Sequence, residues 1–351
     1  MDLSLMSFIS NLVSSPTLLI STILILGVVL VNGWTDAPNA IATCVSTRSL
    51  SPKKAIIMAA FFNFLGVFFM TLLSSTVAQT IYNMVDFGDN SQAALTGLCA
   101  GLFAIVTWAV LAWLFGIPTS ESHALIAGIS GAAIAIQKGI SGINFSEWSK
   151  ILIGLVFSTV LSFALGYLVT KVIEKIFRNK SRLKVLPLFK KSQVISGMAM
   201  AFMHGAQDGQ KFIGIFLMGV FLSNGITDVT VFTIPVWLVF LISIIMTLGT
   251  SIGGYKIIKT VGMKMTKLEP YQGTAADLSS AICLFISSIF GMPVSTTHVK
   301  TTAIMGVGSS RGIHKVNWSV VKGMALAWIL TFPGCGLLGY FSTFIFMKLF
   351  N

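Results

Sequence analysis

Apolar residues run along this chain in long blocks broken by short polar connections, not in the one-sided stripes of a soluble helical protein. The blocks cover approximately 17–47, 53–79, 93–115, 118–136 and 147–177, then 192–224, 228–252, 272–290, 293–308 and 319–349. Segments of this length and composition are expected to be helices that cross a bilayer or dip into it. The pattern therefore predicts an all-α integral membrane protein of about 10–12 membrane segments. The first apolar run continues into Gly33 and Trp34 with no basic flank and no small-residue cleavage site, so residues 17–35 are expected to stay as a helix.

Composition agrees. Of 351 residues 55% are hydrophobic and only 10% charged, too little polar surface for a soluble globule of this size. The formal net charge of +12 does not point to nucleic acid, because most of the 23 Lys and Arg lie in four clusters at 48–54, 171–191, 256–267 and 311–322. These read as cytoplasmic loops next to anionic lipid. The acidic connection with Asp86 and Asp89, the turn at Asp228 and both termini then fall outside. Cys44, Cys99, Cys283 and Cys335 sit in apolar runs without metal-ligand spacing and read as small core residues.

The chain also repeats itself. Asn32-Gly-Trp-Thr-Asp-Ala-Pro-Asn-Ala-Ile41 aligns with His204-Gly-Ala-Gln-Asp-Gly-Gln-Lys-Phe-Ile213 at an offset of 172, which pairs Asp36 with Asp208. Phe115-Gly-Ile-Pro-Thr-Ser-Glu-Ser-His123 aligns with Phe290-Gly-Met-Pro-Val-Ser-Thr-Thr-His298 at an offset of 175, and Gly131 then meets Gly306. Five segments per half is an odd number, so the second half enters the membrane inverted. We expect a first repeat over 1–177 with a re-entrant hairpin near 116–136, a basic cytoplasmic linker at 178–191, and a second repeat over 192–351 with its hairpin near 291–308. Inverted repeats of this kind are characteristic of secondary transporters, with the site at the midplane where the halves meet.

Four acidic residues fall in apolar blocks: Asp36, Glu121, Asp208 and Asp277. A carboxylate at membrane depth costs roughly 2.5 to 3.5 kcal/mol on insertion scales, so it needs a cation, a cavity or a partner. Asp277 reads as an interfacial residue or helix cap. Asp36 and Asp208 are equivalent in the repeat and sit beside Pro38 or glycines, so both segments are expected to break there and free carbonyl oxygens. With Asn39, Gln207 and Gln210, and Glu121 in reach, they make an all-oxygen shell for sodium at Asp36, Asn39 and Asp208, or a proton site. Lys211 lies three residues from Asp208, the spacing of a same-face ion pair, although an anion-attracting charge is the other reading.

The second motif pair suits an anion. Pro118 and Pro293 are expected in first helical turns, followed by Thr119, Ser120 and Ser122 in one half and Ser295, Thr296 and Thr297 in the other. First-turn N–H groups, the dipole and a fan of hydroxyls could hold a tetrahedral oxyanion from both sides; ordinary N-capping is the bland alternative. His123 and His298 read first as pins of the hairpins and second as site support. Gly128-Ile-Ser-Gly131 has the form of an intramembrane protease nucleophile turn, but its repeat equivalent carries Met305 in place of Ser130. No enzymatic activity is expected.

At these residues the chain resembles the inorganic phosphate transporter (PiT) family. The resemblance covers both halves and rests on Gly33–Asn39, His204–Lys211, Pro118–His123 and Pro293–His298, with departures at Thr35, Pro38, Gln207, Lys211 and Glu121. It implies symport of inorganic phosphate with sodium or protons across the cytoplasmic membrane by alternating access, no cofactor beyond the coupling ion, and possible homodimers. Another oxyanion such as sulfate, or a passive anion channel, is the alternative.

Overall fold

The computed structural model describes residues 3–115, 117, 119–226, 232–254 and 258–350. Among these are thirteen α-helices and no strand. They are α1 (Leu5–Ser14), α2 (Pro16–Thr35), α3 (Pro38–Ser46), α4 (Pro52–Leu73), α5 (Thr76–Asn83), α6 (Ser91–Phe115), α7 (Glu121–Ile136), α8 (Phe145–Phe177), α9 (Arg182–Ser223), α10 (Val236–Ile252), α11 (Pro270–Ile289), α12 (Thr296–Ser310) and α13 (Trp318–Phe350). The expected turn at Asp228 and the expected helix start at Pro118 lie outside the described residues.

Proline marks several starts, since its missing N–H is spared in a first turn. Pro16, Pro52 and Pro270 open α2, α4 and α11, the last with a reciprocal Glu269–Gln272 cap. Pro38 opens α3 with only two residues between it and the end of α2, so the expected break at Asp36 is present. The matching break at Asp208 is not. The α9 helix runs without interruption from Arg182 to Ser223, because no proline removes a donor near Asp208 and the glycines beside it serve packing instead. Its start also makes residues 182–191 of the basic connection helical, with Pro187 inside the helix. Pro293, expected in a first turn, instead lies in the extended connector before the Ser295 cap of α12.

The molecule buries charged side chains within an apolar interior and exposes large apolar ones. Large apolar side chains stand exposed at Ile153, Val156, Val160, Leu168 and Val172 on α8, and at Leu326, Ile329, Leu330, Leu337 and Phe341 on α13, while Asp36, Asp208, Asp277, Lys211 and Lys300 are buried. That is the arrangement for a lipid surround. Among the described residues, five helical stretches are long and apolar enough to cross a membrane: 16–46, α4, α6, α8 and α13. α10, at 17 residues, is a shorter apolar helix. At 1.5 Å per residue the 16-residue α7 and 15-residue α12 are only about 24 and 22 Å long, short of a ~30 Å hydrocarbon core, as hairpin arms would be.

Helix packing repeats across the two halves. α2 lies on α10 while its equivalent α9 lies on α4; α7 lies on α13 while α12 lies on α8; α6 touches α2 as α11 touches α9. The motif glycines explain the close approach. A Cβ on Gly33 would meet the Met246 carbonyl of α10 at 2.6 Å, and one on Gly205 the Asn63 carbonyl of α4 at 2.3 Å. Gly131 and Gly306 do the same for the hairpin arms, against Gly336 of α13 at 2.0 Å and Phe163 of α8 at 2.1 Å. Small residues at such crossings allow the backbone contact that drives association in lipid.

Gly131→Ala or Gly306→Ala should each cost roughly 1–3 kcal/mol by overpacking and lower the melting temperature of the purified protein in detergent. Gly27→Ala, where an added Cβ meets nothing within 4 Å, should leave it unchanged or slightly raised.

Candidate functional site

The two hairpin starts meet. Ser120 caps α7 by accepting from the His123 N–H at 3.2 Å, and Ser295 caps α12 by accepting from the His298 N–H at 3.2 Å. The two cap hydroxyls then bond each other, Ser120 Oγ to Ser295 Oγ at 2.8 Å, although 175 residues separate them. The sequence equivalence of these motifs is thus a physical contact between the N-termini of two helices.

Both aspartates lie beside this contact. Thr296 Oγ1 donates to Asp36 Oδ2 at 3.2 Å and to Asp208 Oδ2 at 3.3 Å, so one hydroxyl links the two carboxylates. Asp36 also accepts from Thr297 and, at 2.6 Å, from Asn39 Nδ2, which in turn reaches Thr297 Oγ1 at 2.9 Å. Asp208 accepts from Asn32 Nδ2 at 3.2 Å and from Lys211 Nζ at 2.6 Å. His204 Nε2 stands 3.4 Å from Asp208 Oδ2, and ligand atoms of Asp36, His204 and Asp208 lie within 4.8 Å of one another. All of these residues are buried.

Glu121, in the first turn of α7, accepts from Thr35 next to Asp36. A small cleft lined by Thr35, Asp36, Trp113, Thr119 and Glu121 reaches this corner. Ser122 accepts from Lys211 Nζ at 2.6 Å. Ser122, Thr296 and Thr297 from the anion cradle and Asp36, Asn39 and Asp208 from the cation shell therefore form one hydrogen-bonded cluster, with the Ser120–Ser295 and Thr35–Glu121 contacts beside it.

Gln207 and Gln210 stand differently. Gln207 donates to Ser288 Oγ at 3.0 Å and to the Met292 carbonyl at 3.2 Å, tying α9 to the second hairpin, and neither amide atom of Gln210 has a partner. The histidines pack more than they bond: the His123 and His298 rings stand edge to face at 4.4 Å, with Phe332 against the first and Trp328 against the second.

Whether a cation suits this cluster can be tested on its unpartnered atoms. Asn32 Oδ1, Asn39 Oδ1 and Glu121 Oε2 are buried oxygens with no hydrogen-bond donor, clustered about carboxylates. Uncompensated acceptors of this sort are costly unless something positive visits them. An all-oxygen set is the donor chemistry of a hard cation such as sodium, and Asp36, Asn39 and neighbouring hydroxyls are the residues that would hold one.

A second buried cluster adjoins the first. Asp277, expected at an interface or cap, is fully buried on α11 and paired with Lys300 of α12. Burial beside an ammonium removes the need for water, which the reading of Asp277 alone did not take into account. Thr43 Oγ1 donates to Asp277 at 2.7 Å, Gln193 donates as well, and Lys300 Nζ also reaches Thr43 Oγ1 at 3.1 Å and the Ala40 carbonyl at 3.3 Å. Opposite charges in two apolar blocks were the available signal for this pair. Asn32 and Thr35, also missed as site residues, lie inside the first motif itself.

Comparison with known proteins decides the family. The profile of the phosphate transporter family matches residues 32–339. The chain belongs to the phosphate transporter family. It is 39% identical over 95% of its length to a probable low-affinity inorganic phosphate transporter of Bacillus subtilis, covering 99% of that protein, and 38% identical over 88% to one of Rhizobium meliloti, covering 90%. A solved structure described as the sodium-dependent phosphate transporter superposes with a TM-score of 0.86 at 25% identity, over 95% of this chain and all of that one. The protein is accordingly a multi-pass membrane transporter and not an enzyme, as the sequence led us to expect.

Asp277→Asn, which leaves the Lys300 ammonium buried without its counter-charge, should destabilise the protein by about 3–5 kcal/mol. Combining it with Lys300→Met should recover most of that loss, because the unpaired charge is gone; a double-mutant cycle of thermal melts in detergent reads both.

Proposed function

We propose that the protein carries inorganic phosphate across the cytoplasmic membrane by cation-coupled symport, with sodium as the favoured coupling ion and protons as the alternative. The observation that carries this reading is the single Thr296 hydroxyl shared by Asp36 and Asp208 beside the Ser120–Ser295 contact. Phosphate would dock between the N-termini of α7 and α12, drawing on the hydroxyls of Thr119, Ser120, Ser122, Ser295, Thr296 and Thr297 and on first-turn N–H groups. Thr296 and Thr297 donate to carboxylates in this arrangement. A cation at Asp36 competes for those oxygens and frees the two hydroxyls to turn toward an anion.

Electrostatics supports the order of events. A phosphate anion about 5 Å from an unneutralised carboxylate is repelled by roughly 3 kcal/mol at an effective dielectric near 20, so the cation binds first. In the loaded core cation and phosphate offset each other and the core can rock between faces, whereas a half-loaded core leaves one of them without its counter-charge and stays put. The positive-inside rule, applied to the basic clusters, supports a cytoplasmic side for 48–54 and 178–191 and an external side for both termini. The relatives named as phosphate transporters and the neighbour named as sodium-dependent support the same reading.

Purified protein in liposomes should take up radiolabelled phosphate under an inward sodium gradient, and Asp36→Asn should lower that uptake at least tenfold. Uptake that follows only a proton gradient would make the aspartates proton carriers; none under any gradient, from folded protein, would overturn the reading. Glu121, an acceptor to which protonated phosphate can donate, adds a selectivity test. Glu121→Gln should weaken competition by phosphate more than competition by sulfate, and an equal effect on both would remove Glu121 from selectivity.

A further inference from the structure

The two halves of the site are images of each other in which the amide of one copy is an ammonium in the other. In the first half the Asn39 amide N–H group bonds Asp36 Oδ1 at 2.6 Å and Thr297 Oγ1 at 2.9 Å. In the second the Lys211 ammonium bonds Asp208 Oδ1 at 2.6 Å and Ser122 Oγ at 2.6 Å. The offsets of 172 and 175 pair Asp36 with Asp208, Asn39 with Lys211, and Thr297 with Ser122. One constellation therefore occurs twice, built on a neutral amide in one copy and on a cation in the other.

The ammonium is also fully occupied. Its third bond runs to the Val294 carbonyl at 2.6 Å, so all three N–H donors are spent on oxygens of the protein. It has none left to bond a phosphate directly. A carboxylate, a carbonyl and a hydroxyl around one positive centre is the coordination that a bound sodium ion would take. Lys300 repeats the theme, with its Nζ among the Asp277 carboxylate, the Ala40 carbonyl and the Thr43 hydroxyl. Asn39, by contrast, keeps an unpartnered Oδ1 that can still ligate.

We propose that the Lys211 ammonium is a tethered cation filling the Asp208 half of the site, so that only the Asp36 half takes up a mobile cation. The proposal rests on the cation-coupled reading and adds its stoichiometry: one coupling ion fewer than the duplicated architecture has places for. Charge balance agrees. Asp36, Glu121 and Asp208 face Lys211 and His204 across the cluster, and the ammonium offsets only the Asp208 carboxylate, which leaves Asp36 and Glu121 to attract the ion that travels.

The test is the number of labelled sodium ions bound per chain at saturation, measured by equilibrium dialysis of the full-length protein in detergent without phosphate. Lys211→Asn, which restores the amide of the first half, should bind one sodium more than the unaltered protein. Adding Asp208→Asn should abolish that extra ion. The same number before and after Lys211→Asn would overturn the proposal.

Folding of Lys211→Asn in sodium but not in choline would support it, since an added ion would then be replacing the ammonium. Instability indifferent to sodium in both Lys211→Asn and Lys211→Gln would overturn it. Phosphate uptake by the unaltered protein separates the two readings: uptake with equal sodium counts sinks only the tethered cation, and an extra sodium without any uptake sinks only phosphate transport.

Discussion

Two carboxylates, Asp36 and Asp208, share one hydroxyl in the interior of a protein whose outer surface is apolar. Both are buried, and each would be expensive to hold there alone. Much of the architecture answers that cost. Asn39, Thr297, Asn32 and Lys211 converge on them as donors, and those donors come from α2, α3, α9 and α12, which only the packing of one half against the other brings together. The glycines at the helix crossings are what let the backbones come near enough.

The pseudo-symmetry is mechanical as well as chemical. Each hairpin arm seats on the long last helix of the opposite half, so neither half folds around its own site. The hairpins touch at Ser120 and Ser295 but are held by different scaffolds, which is the arrangement the proposed two-sided opening would use. Departures from symmetry then carry the specific information. Pro38 breaks one copy of the helix while the other stays whole, and an amide in one half faces an ammonium in the other.

Much of this was legible in the sequence because apolar blocks and a duplicated motif are one-dimensional signals. The helical class, the pairing of Asp36 with Asp208 and of Ser120 with Ser295, and the break at Pro38 all follow from residue order. What did not follow depends on contact between distant residues. Glycine near Asp208 suggested a loosened helix, but the partner that fills the space, Asn63 of α4, has no local signature. Asp277 read as a cap in isolation because Lys300 lies on another helix. Gln207 read as a ligand by proximity to Asp208, yet its amide turns toward the second hairpin.

The central claim is that cation and phosphate share one hydrogen-bonded cluster, so that each should alter the affinity of the other. Equilibrium binding of radiolabelled phosphate to the purified protein, across a sodium series at constant ionic strength with choline, measures this most directly. Coupling within one cluster predicts a dissociation constant that falls by at least fivefold, the lower end of ordinary coupling between linked sites. A phosphate affinity that stays constant across the series would contradict the account.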